Sequence, residues 1–153
     1  MRFMSTVGTQ IAGAFGLDEG PSHRGPGGWW IFFEPECHLL LDRRVFVPDI
    51  AGWRRERMPK PAGDEHKIEI VPDWVCEVLS PSTQRYDYLV KMPRYLSAGV
   101  PWVWIVDPVE RRVDVWRAQD GEWVEAGSFQ GDVVAKIPPF EELELDLSLG
   151  WSG

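Results

Sequence analysis

The chain has 153 residues, which suits one domain, and 44% of them are hydrophobic, enough to build a core. Its formal net charge of −8 argues against a protein that coats nucleic acid non-specifically, because such binding depends on phosphate neutralisation by lysine and arginine. No apolar run reaches the ~20 residues of a membrane span, and the N-terminus lacks the pattern of a secretion signal. A cytoplasmic protein with no membrane association is therefore predicted.

The first part of the sequence, residues 1–28, is predicted to be a short helix and a flexible connection that precede the main domain at 29–153. Apolar side chains recur at near-helical spacing over residues 5–16, as in an amphipathic helix. Glycine and proline then become dense over residues 18–28, a composition typical of a flexible connection.

Aromatic and β-branched stretches follow and predict three strands, at residues 29–33, 37–41 and 45–50. Asp49 falls near the end of the third strand. The charged, proline-containing segment 53–67 is predicted to be a loop. It carries a basic cluster, for which a solvated loop is a simpler interpretation than a patch over an acidic site: Arg54, Arg55, Arg57 and Lys60.

The middle of the chain predicts a strand, a helix and another strand. Residues 74–79 form an apolar run broken only by Glu77, which favours a central strand covered on both faces. Residues 83–98 place apolar side chains along one stripe of a helix, and Pro93 predicts a kink or a restart within it. Residues 100–106 predict the next strand, which is expected to run parallel to the first because a helix connects them.

The C-terminal part predicts a hairpin. Residues 112–117 alternate as a half-exposed strand does, and the Asp-Gly pair at 120–121 is a turn signal. The expected elements after the turn are a return strand at 122–126, a further short strand at 129–137 and a tail at 141–149 that packs on the sheet edge. The whole order predicts an α/β fold, with a mixed sheet flanked by helices.

Both cysteines, Cys37 and Cys76, fall inside predicted strands and do not form a CxxC pair. This pattern predicts buried thiols in a reducing compartment. A metal-binding role is not expected for them, because no cluster of histidine and cysteine accompanies them.

Two carboxylates interrupt apolar, strand-like stretches: Asp49 and Glu77. A buried carboxylate must be paired, protonated or bound to a cation. Two acids near the carboxyl ends of neighbouring strands can share Mg²⁺, which polarises a phosphoryl oxygen and lowers the pKa of a bound water. Alternatively, Asp49 caps a turn and Glu77 forms an internal salt bridge. Spacing alone does not decide between these two interpretations.

Lys91 follows Asp87 by four residues on the predicted helix. The simpler interpretation is an exposed Asp–Lys pair on one helix face, and the pattern by itself favours it. In the other interpretation the ammonium group points back toward Glu77, where it would meet the attacking water or the charge that develops on a phosphate.

Four sequence phrases carry a family resemblance: PDIAGW at 48–53, DWVCEVLSPST at 73–83, the spacing Asp87-x3-Lys91-x3-Tyr95, and GVPWVWIVDP at 99–108. Together they closely resemble the putative restriction endonuclease family, formerly catalogued as a domain of unknown function, a branch of the PD-(D/E)XK nuclease superfamily. The resemblance extends over residues 25–149. It implies a restriction-endonuclease-like core, in which helices flank a mixed sheet.

The resemblance also implies a catalytic set. Asp49 matches the aspartate of the PD motif, and Glu77 matches the acid of the (D/E)XK motif. Leu79 stands where the usual lysine would be, and Lys91 matches the lysine that has migrated to the helix in this family. The implied roles are catalysis by Asp49, Glu77 and Lys91, and binding of Mg²⁺ or Mn²⁺ by the two acids and the carbonyl of Val78.

Glu36 is a possible accessory acid, and Glu34 is the competing choice. The implied activity is Mg²⁺-dependent endonucleolytic cleavage of DNA. The alternatives are a non-catalytic binding or assembly module that keeps the nuclease fold, and a hydrolase of another phosphate ester. The N-terminal region looks abbreviated relative to the family, which would leave a sheet edge open for strand pairing, so a homodimer is expected.

Overall fold

The computed structural model describes residues 2–15, 28–38, 45–58, 67–82 and 87–151. Eleven strands lie within these ranges: β1 (Trp29–Phe33), β2 (Glu36–His38), β3 (Val45–Phe46), β4 (Ile50–Arg54), β5 (Lys67–Ile68), β6 (Trp74–Val78), β7 (Trp102–Asp107), β8 (Arg112–Gln119), β9 (Glu122–Gln130), β10 (Val134–Ala135) and β11 (Leu145–Asp146). A π-helical segment, Met4–Gly8, leads into α1 (Thr9–Phe15), and a second one, Asp87–Lys91, leads into α2 (Met92–Ala98). A 3₁₀ turn, Leu147–Gly150, lies near the C-terminus.

Six strands form the central sheet, in the order β1-β4-β6-β7-β8-β9. Only the β6–β7 pair is parallel, and the other four pairs in this sheet are antiparallel. The crossover from β6 to β7 contains α2, as the sequence predicted. The mixed α/β fold class is therefore confirmed.

Apolar layers cover both faces of this sheet, and every residue of β6 is buried. One face packs against the N-terminal helical segment and the C-terminal tail, through Phe3, Val7, Ile11, Phe140, Leu145 and Leu147. The other face packs against α2 and a small second sheet of order β3-β2-β5, through Cys37, Phe46, Ile68, Met92 and Tyr95. This double cover explains why the β6 sequence is a continuous apolar run.

The predicted strand at 45–50 is wrong in its bounds. Val45–Phe46 belongs to the small sheet, and a new strand begins at Ile50. Pro48 separates the two strands because it has no N–H to donate to a ladder. Asp49 therefore lies at the start of β4 rather than at the end of a strand. The predicted loop at 53–67 is likewise wrong at its beginning, because β4 continues through Arg54.

The kink or restart predicted at Pro93 corresponds to a change from a π-helical to an α-helical segment at Met92, across which Lys91 keeps helical dihedral angles. The structure describes Asp87–Lys91 and then α2, whereas residues 83–86 of the predicted helix lie outside the described residues. Pro93 falls in the first turn of α2, where the missing N–H costs little. The helix ends before Gly99, whose φ of 92° is in the left-handed region that favours glycine.

At the C-terminus, the predicted hairpin joins β8 and β9 through Asp120 and Gly121, both at positive φ. The separate strand predicted at 129–137 is wrong in its bounds, because β9 continues to Gln130 and β10 comprises only Val134–Ala135. The tail packs into the core instead of on a sheet edge, since Leu145 and Leu147 are fully buried.

The two cysteines are buried and free, as predicted. Burial, with a smaller contribution from the charge of Glu77, raises the pKa of Cys37 to about 12. None of the described helices is long and apolar enough to cross a membrane. The predicted N-terminal helix is present up to Phe15, whereas its residue 16 and residues 18–27 of the predicted connection lie outside the described residues. The division at residue 28 stays a prediction.

Candidate active site

The antiparallel pairing of β4 and β6 brings Asp49 beside Glu77. Ile50 is opposite Cys76 in this pair. One step further along, Asp49, which precedes β4, therefore lies opposite Glu77, the penultimate residue of β6. The two acids meet because one strand starts where its antiparallel neighbour ends. The prediction that both lie at strand carboxyl ends was wrong, but the pair itself is present.

Hydrogen bonds across this strand pair fix the two carboxylates. The amide of Val78 donates to Asp49 Oδ2 at 2.6 Å. In the other direction, the amide nitrogen of Asp49 lies 3.4 Å from Glu77 Oε1, which is a long contact. Each acid thus accepts from the main chain of the opposite strand, and this limits how far either side chain can move.

Glu77 is 2% exposed and carries two partners on a single oxygen. Its Oε2 accepts from the Tyr95 hydroxyl at 2.6 Å and pairs with Lys91 Nζ at 3.1 Å. Burial raises the pKa of Glu77 to about 7, although the charge of Lys91 and the Tyr95 hydrogen bond act to lower it. The nearby charge of Asp49 adds to the increase. Lys91 and Tyr95 therefore only partly offset the effect of burial on the pKa of Glu77.

The second helical segment supplies both partners of Glu77. Lys91 and Tyr95 are four residues apart, so they lie on the same helix face and reach the same carboxylate. Lys91 keeps a quarter of its side chain exposed, while Tyr95 is buried against Phe46. The structure thus brings Lys91 to Glu77, the arrangement that the family resemblance implies for Lys91.

Leu79, at the position of the usual motif lysine, is 6% exposed and packs in the core cluster beneath α2. Its amide donates to the carbonyl of Val106 at 2.8 Å, which ties this position to β7. An ammonium group at this point would be buried in an apolar layer at high cost. Position 79 therefore suits an apolar residue, and the lysine that reaches Glu77 comes from the helix instead.

The two accessory-acid candidates lie in different surroundings. Glu34 lines a cleft of about 390 Å³ that also contains Asp49, and its amide donates to the carbonyl of Asp49 at 2.9 Å. Its φ of 50° is unusual for a residue with a side chain. Glu36 instead belongs to β2 and pairs with His38 at 2.9 Å. Of the two, Glu34 is the one that shares the cleft with Asp49.

The basic cluster at the far end of β4 has structural partners. Arg54 stacks on Trp29 and Arg55 on Trp30, with guanidinium carbons 4.5 Å and 3.8 Å from the ring centres. Arg57 pairs with the buried Asp73 at 2.8 Å. These contacts differ from the solvated loop of the simpler interpretation. Lys60 lies outside the described residues.

The donor chemistry suits a hard divalent cation. Within the described ranges, no group of three or more His, Cys, Asp or Glu side chains is placed to hold a metal ion. Mg²⁺ does not require such a group, because it is usually bound through one or two carboxylates and retains several waters. The buried Glu77, with its raised pKa, is a carboxylate whose charge a cation would stabilise. Asp49 and Glu77 therefore fit this ion.

The comparison with family models decides the family. The model of Uma2, described as putative restriction endonuclease, matches residues 5–149, which is nearly the whole chain. The chain belongs to the Uma2 family. A solved structure described as a putative nuclease belonging to DUF820, from Anabaena variabilis ATCC 29413, is 29% identical to this chain, with a TM-score of 0.60. The match covers 79% of this chain and 67% of that chain. A comparison with curated proteins gives no match.

Sequence reasoning placed Tyr95 on the apolar stripe of the helix and gave it no role in the site. The structure shows its hydroxyl bound to a candidate catalytic carboxylate. The spacing of four residues between Lys91 and Tyr95 could have indicated this contact. A helix that directs Lys91 toward Glu77 directs Tyr95 to the same side. The amphipathic pattern concealed this role, since a tyrosine presents an apolar body to the core and a polar tip to a partner.

Proposed function

We propose that this Uma2-family protein is a Mg²⁺-dependent endonuclease that hydrolyses DNA phosphodiester bonds. The observation that carries the proposal is the convergence of Asp49, Glu77 and Lys91 at the end of β6, where Lys91 Nζ lies 3.1 Å from the buried Glu77. The nuclease-like fold and the family description support a nucleic acid as the substrate class.

In this proposal, Asp49, Glu77 and the carbonyl of Val78 hold Mg²⁺ or Mn²⁺. The bound cation supplies polarisation of a phosphoryl oxygen and a lower pKa for a coordinated water. Lys91 contributes a positive charge that is already oriented beside the acids. From there its ammonium group orients the attacking water and stabilises the negative charge that develops on the phosphate.

Plasmid cleavage tests the proposal. Supercoiled DNA is incubated with Mg²⁺ or Mn²⁺ and the wild-type protein, Asp49→Asn, Glu77→Gln or Lys91→Met. Wild type is expected to nick or linearise the plasmid only when the cation is present. Each variant is expected to lose roughly 100-fold or more in rate, the usual effect of removing one electrostatic stabiliser. Lys136→Met is the matched control, because Lys136 is exposed and follows β10. This variant should retain full activity.

Equal cleavage by wild type and all three site variants would sink the proposal. Absence of cleavage with either cation, together with a stable oligomer, would support the non-catalytic binding or assembly module instead. Cleavage of a simple phosphodiester such as bis(p-nitrophenyl) phosphate, with no action on DNA, would point to a different phosphate ester as the substrate.

A further inference from the structure

We infer that Tyr95 is a positioning residue, which holds Glu77 by Oε2 so that Oε1 is the oxygen presented to the cation. The inference rests on the proposed function, because it concerns how the same carboxylate binds the metal. It adds a fourth side chain to the site and assigns different partners to the two oxygens of Glu77.

The hydrogen-bond geometry distinguishes the two oxygens. Oε2 receives both the Tyr95 hydroxyl, at 2.6 Å, and the Lys91 ammonium group, at 3.1 Å. Oε1 is directed toward β4, where its contact with the Asp49 amide is the longer one, at 3.4 Å. The torsion that rotates a glutamate carboxylate is intrinsically broad, so such unequal partners decide which oxygen faces Asp49.

The position of the Tyr95 hydroxyl is set by packing rather than by the site. The ring is 2% exposed and lies 5.4 Å from the ring of Phe46. The main-chain carbonyl of Tyr95 accepts a hydrogen bond from the amide of Val100 at 3.0 Å, which ties the last turn of α2 to the residues that lead into β7. Trp123 fixes the first turn through a hydrogen bond to the Met92 carbonyl. The hydroxyl is therefore in place before any ligand arrives, as a preorganised partner of a metal ligand should be.

Tyr95 and Lys91 should then have separable effects. The hydroxyl is neutral, so its contribution is to the orientation of Glu77. Lys91 also supplies a charge that acts on the reacting phosphate. Removal of the hydroxyl should weaken cation binding and leave the chemical step largely intact once the cation is bound.

The first test measures Mn²⁺ binding without DNA, by the loss of the free-ion signal in electron paramagnetic resonance. Tyr95→Phe keeps the ring and removes the hydroxyl, and its Kd for Mn²⁺ is expected to rise roughly 10-fold, as for other partners of metal ligands. Tyr88→Phe removes the same group about two helical turns earlier and is expected to bind like wild type. A Tyr95→Phe affinity equal to that of wild type would overturn the inference and leave the proposed function standing. No Mn²⁺ binding by wild type would overturn both.

The second test separates a positioning role from a general structural one. The cleavage rate of Tyr95→Phe is measured at limiting and at saturating Mn²⁺. Recovery to near the wild-type rate at saturation supports the inference, whereas an equal loss at both concentrations overturns it.

A third measurement needs no variant of Tyr95 to fold. Wild-type protein labelled with ¹³Cζ-tyrosine is titrated with Mg²⁺, and the Tyr95 resonance is assigned by elimination with Tyr86→Phe and Tyr88→Phe. A shift of this resonance that saturates with Mg²⁺ supports the inference. A resonance that does not move while Mg²⁺ binds overturns it.

Discussion

At the scale of single residues, Glu77 is a nearly fully buried carboxylate in the described core, with 2% of its surface exposed. It interrupts a strand that is buried on both faces, and burial raises its pKa to about 7 despite Lys91 and Tyr95. If this position served only stability, an apolar residue here would often make the folded protein equally or more stable. The internal salt bridge that spacing alone left open is present, with Lys91 Nζ 3.1 Å from Glu77 Oε2. In the proposed function, the cation further compensates the charge of this carboxylate.

The pKa of Glu77 predicts how stability depends on pH in the absence of metal. The carboxyl group ionises near 4.5 when unfolded and near 7 when folded, so the folded protein retains a proton that the unfolded chain has released. The free energy of unfolding from this group is therefore highest below pH 4.5 and is lost as pH rises through about 7. Glu77→Gln should remove this part of the pH dependence.

Urea unfolding in EDTA measures this effect. Between about pH 5 and about pH 7.5, wild type should lose more stability than Glu77→Gln. Parallel pH profiles for the two proteins would show that Glu77 titrates normally in the fold. Added Mg²⁺ should stabilise wild type at the higher pH and leave Glu77→Gln nearly unchanged, because the cation binds the folded state.

At the scale of elements, the sequence predicted the central strand, a change in the helix next to Pro93 and the β8–β9 hairpin. These succeeded because each depends on local chemistry: an apolar run, a missing N–H and an Asp-Gly turn. The placement of Asp49 at the start of β4 could not be predicted in this way. It depends on which strand lies beside β6 and in which direction, a long-range choice that spacing does not encode.

The close packing of β4 between its neighbours makes a prediction for Gly52. A Cβ at this position would lie 2.9 Å from the Ile31 side chain and 3.0 Å from the ring of Trp29, which is fully buried. Gly52→Ala should destabilise the protein by about 1–3 kcal/mol, the usual cost of overpacking a core. Denaturant unfolding measures the change.

Gly13→Ala is the matched control for this substitution. Gly13 lies in α1, and nothing lies within 4 Å of a Cβ built there. Alanine should stabilise the helix by up to about 1 kcal/mol through its higher propensity. If Gly52→Ala were as stable as Gly13→Ala, the tight packing of β4 against β1 would be contradicted.

At the scale of the whole molecule, the candidate site lies at the end of the β4–β6 strand pair, between the two layers that cover the sheet. Asp49 also lines the cleft beside the N-terminal helical segment, and Glu77 faces α2 on the other side. The acids could be named from the sequence once the family phrases were recognised. The contact of Tyr95 with Glu77 and the position of Glu34 in the cleft could not, because both depend on how α2 and the β1–β2 turn pack against the sheet.

The homodimer predicted through an edge of the central sheet stays a prediction. Among the described residues, β1 pairs with β4 on one side alone, and pairing of its other edge with a second copy would form the dimer. Light scattering on the purified protein should give twice the chain mass of 17.5 kDa. A mass of a single chain at micromolar concentration would contradict strand pairing through β1.

The central claim is that Asp49 and Glu77 share one divalent cation at the end of β6. An anomalous difference map from a crystal soaked in Mn²⁺ tests it most directly. The expected result is a peak between the two carboxylates, at about 2.1 Å from an oxygen of each. A crystal saturated with Mn²⁺ that shows no peak between these side chains would contradict the claim.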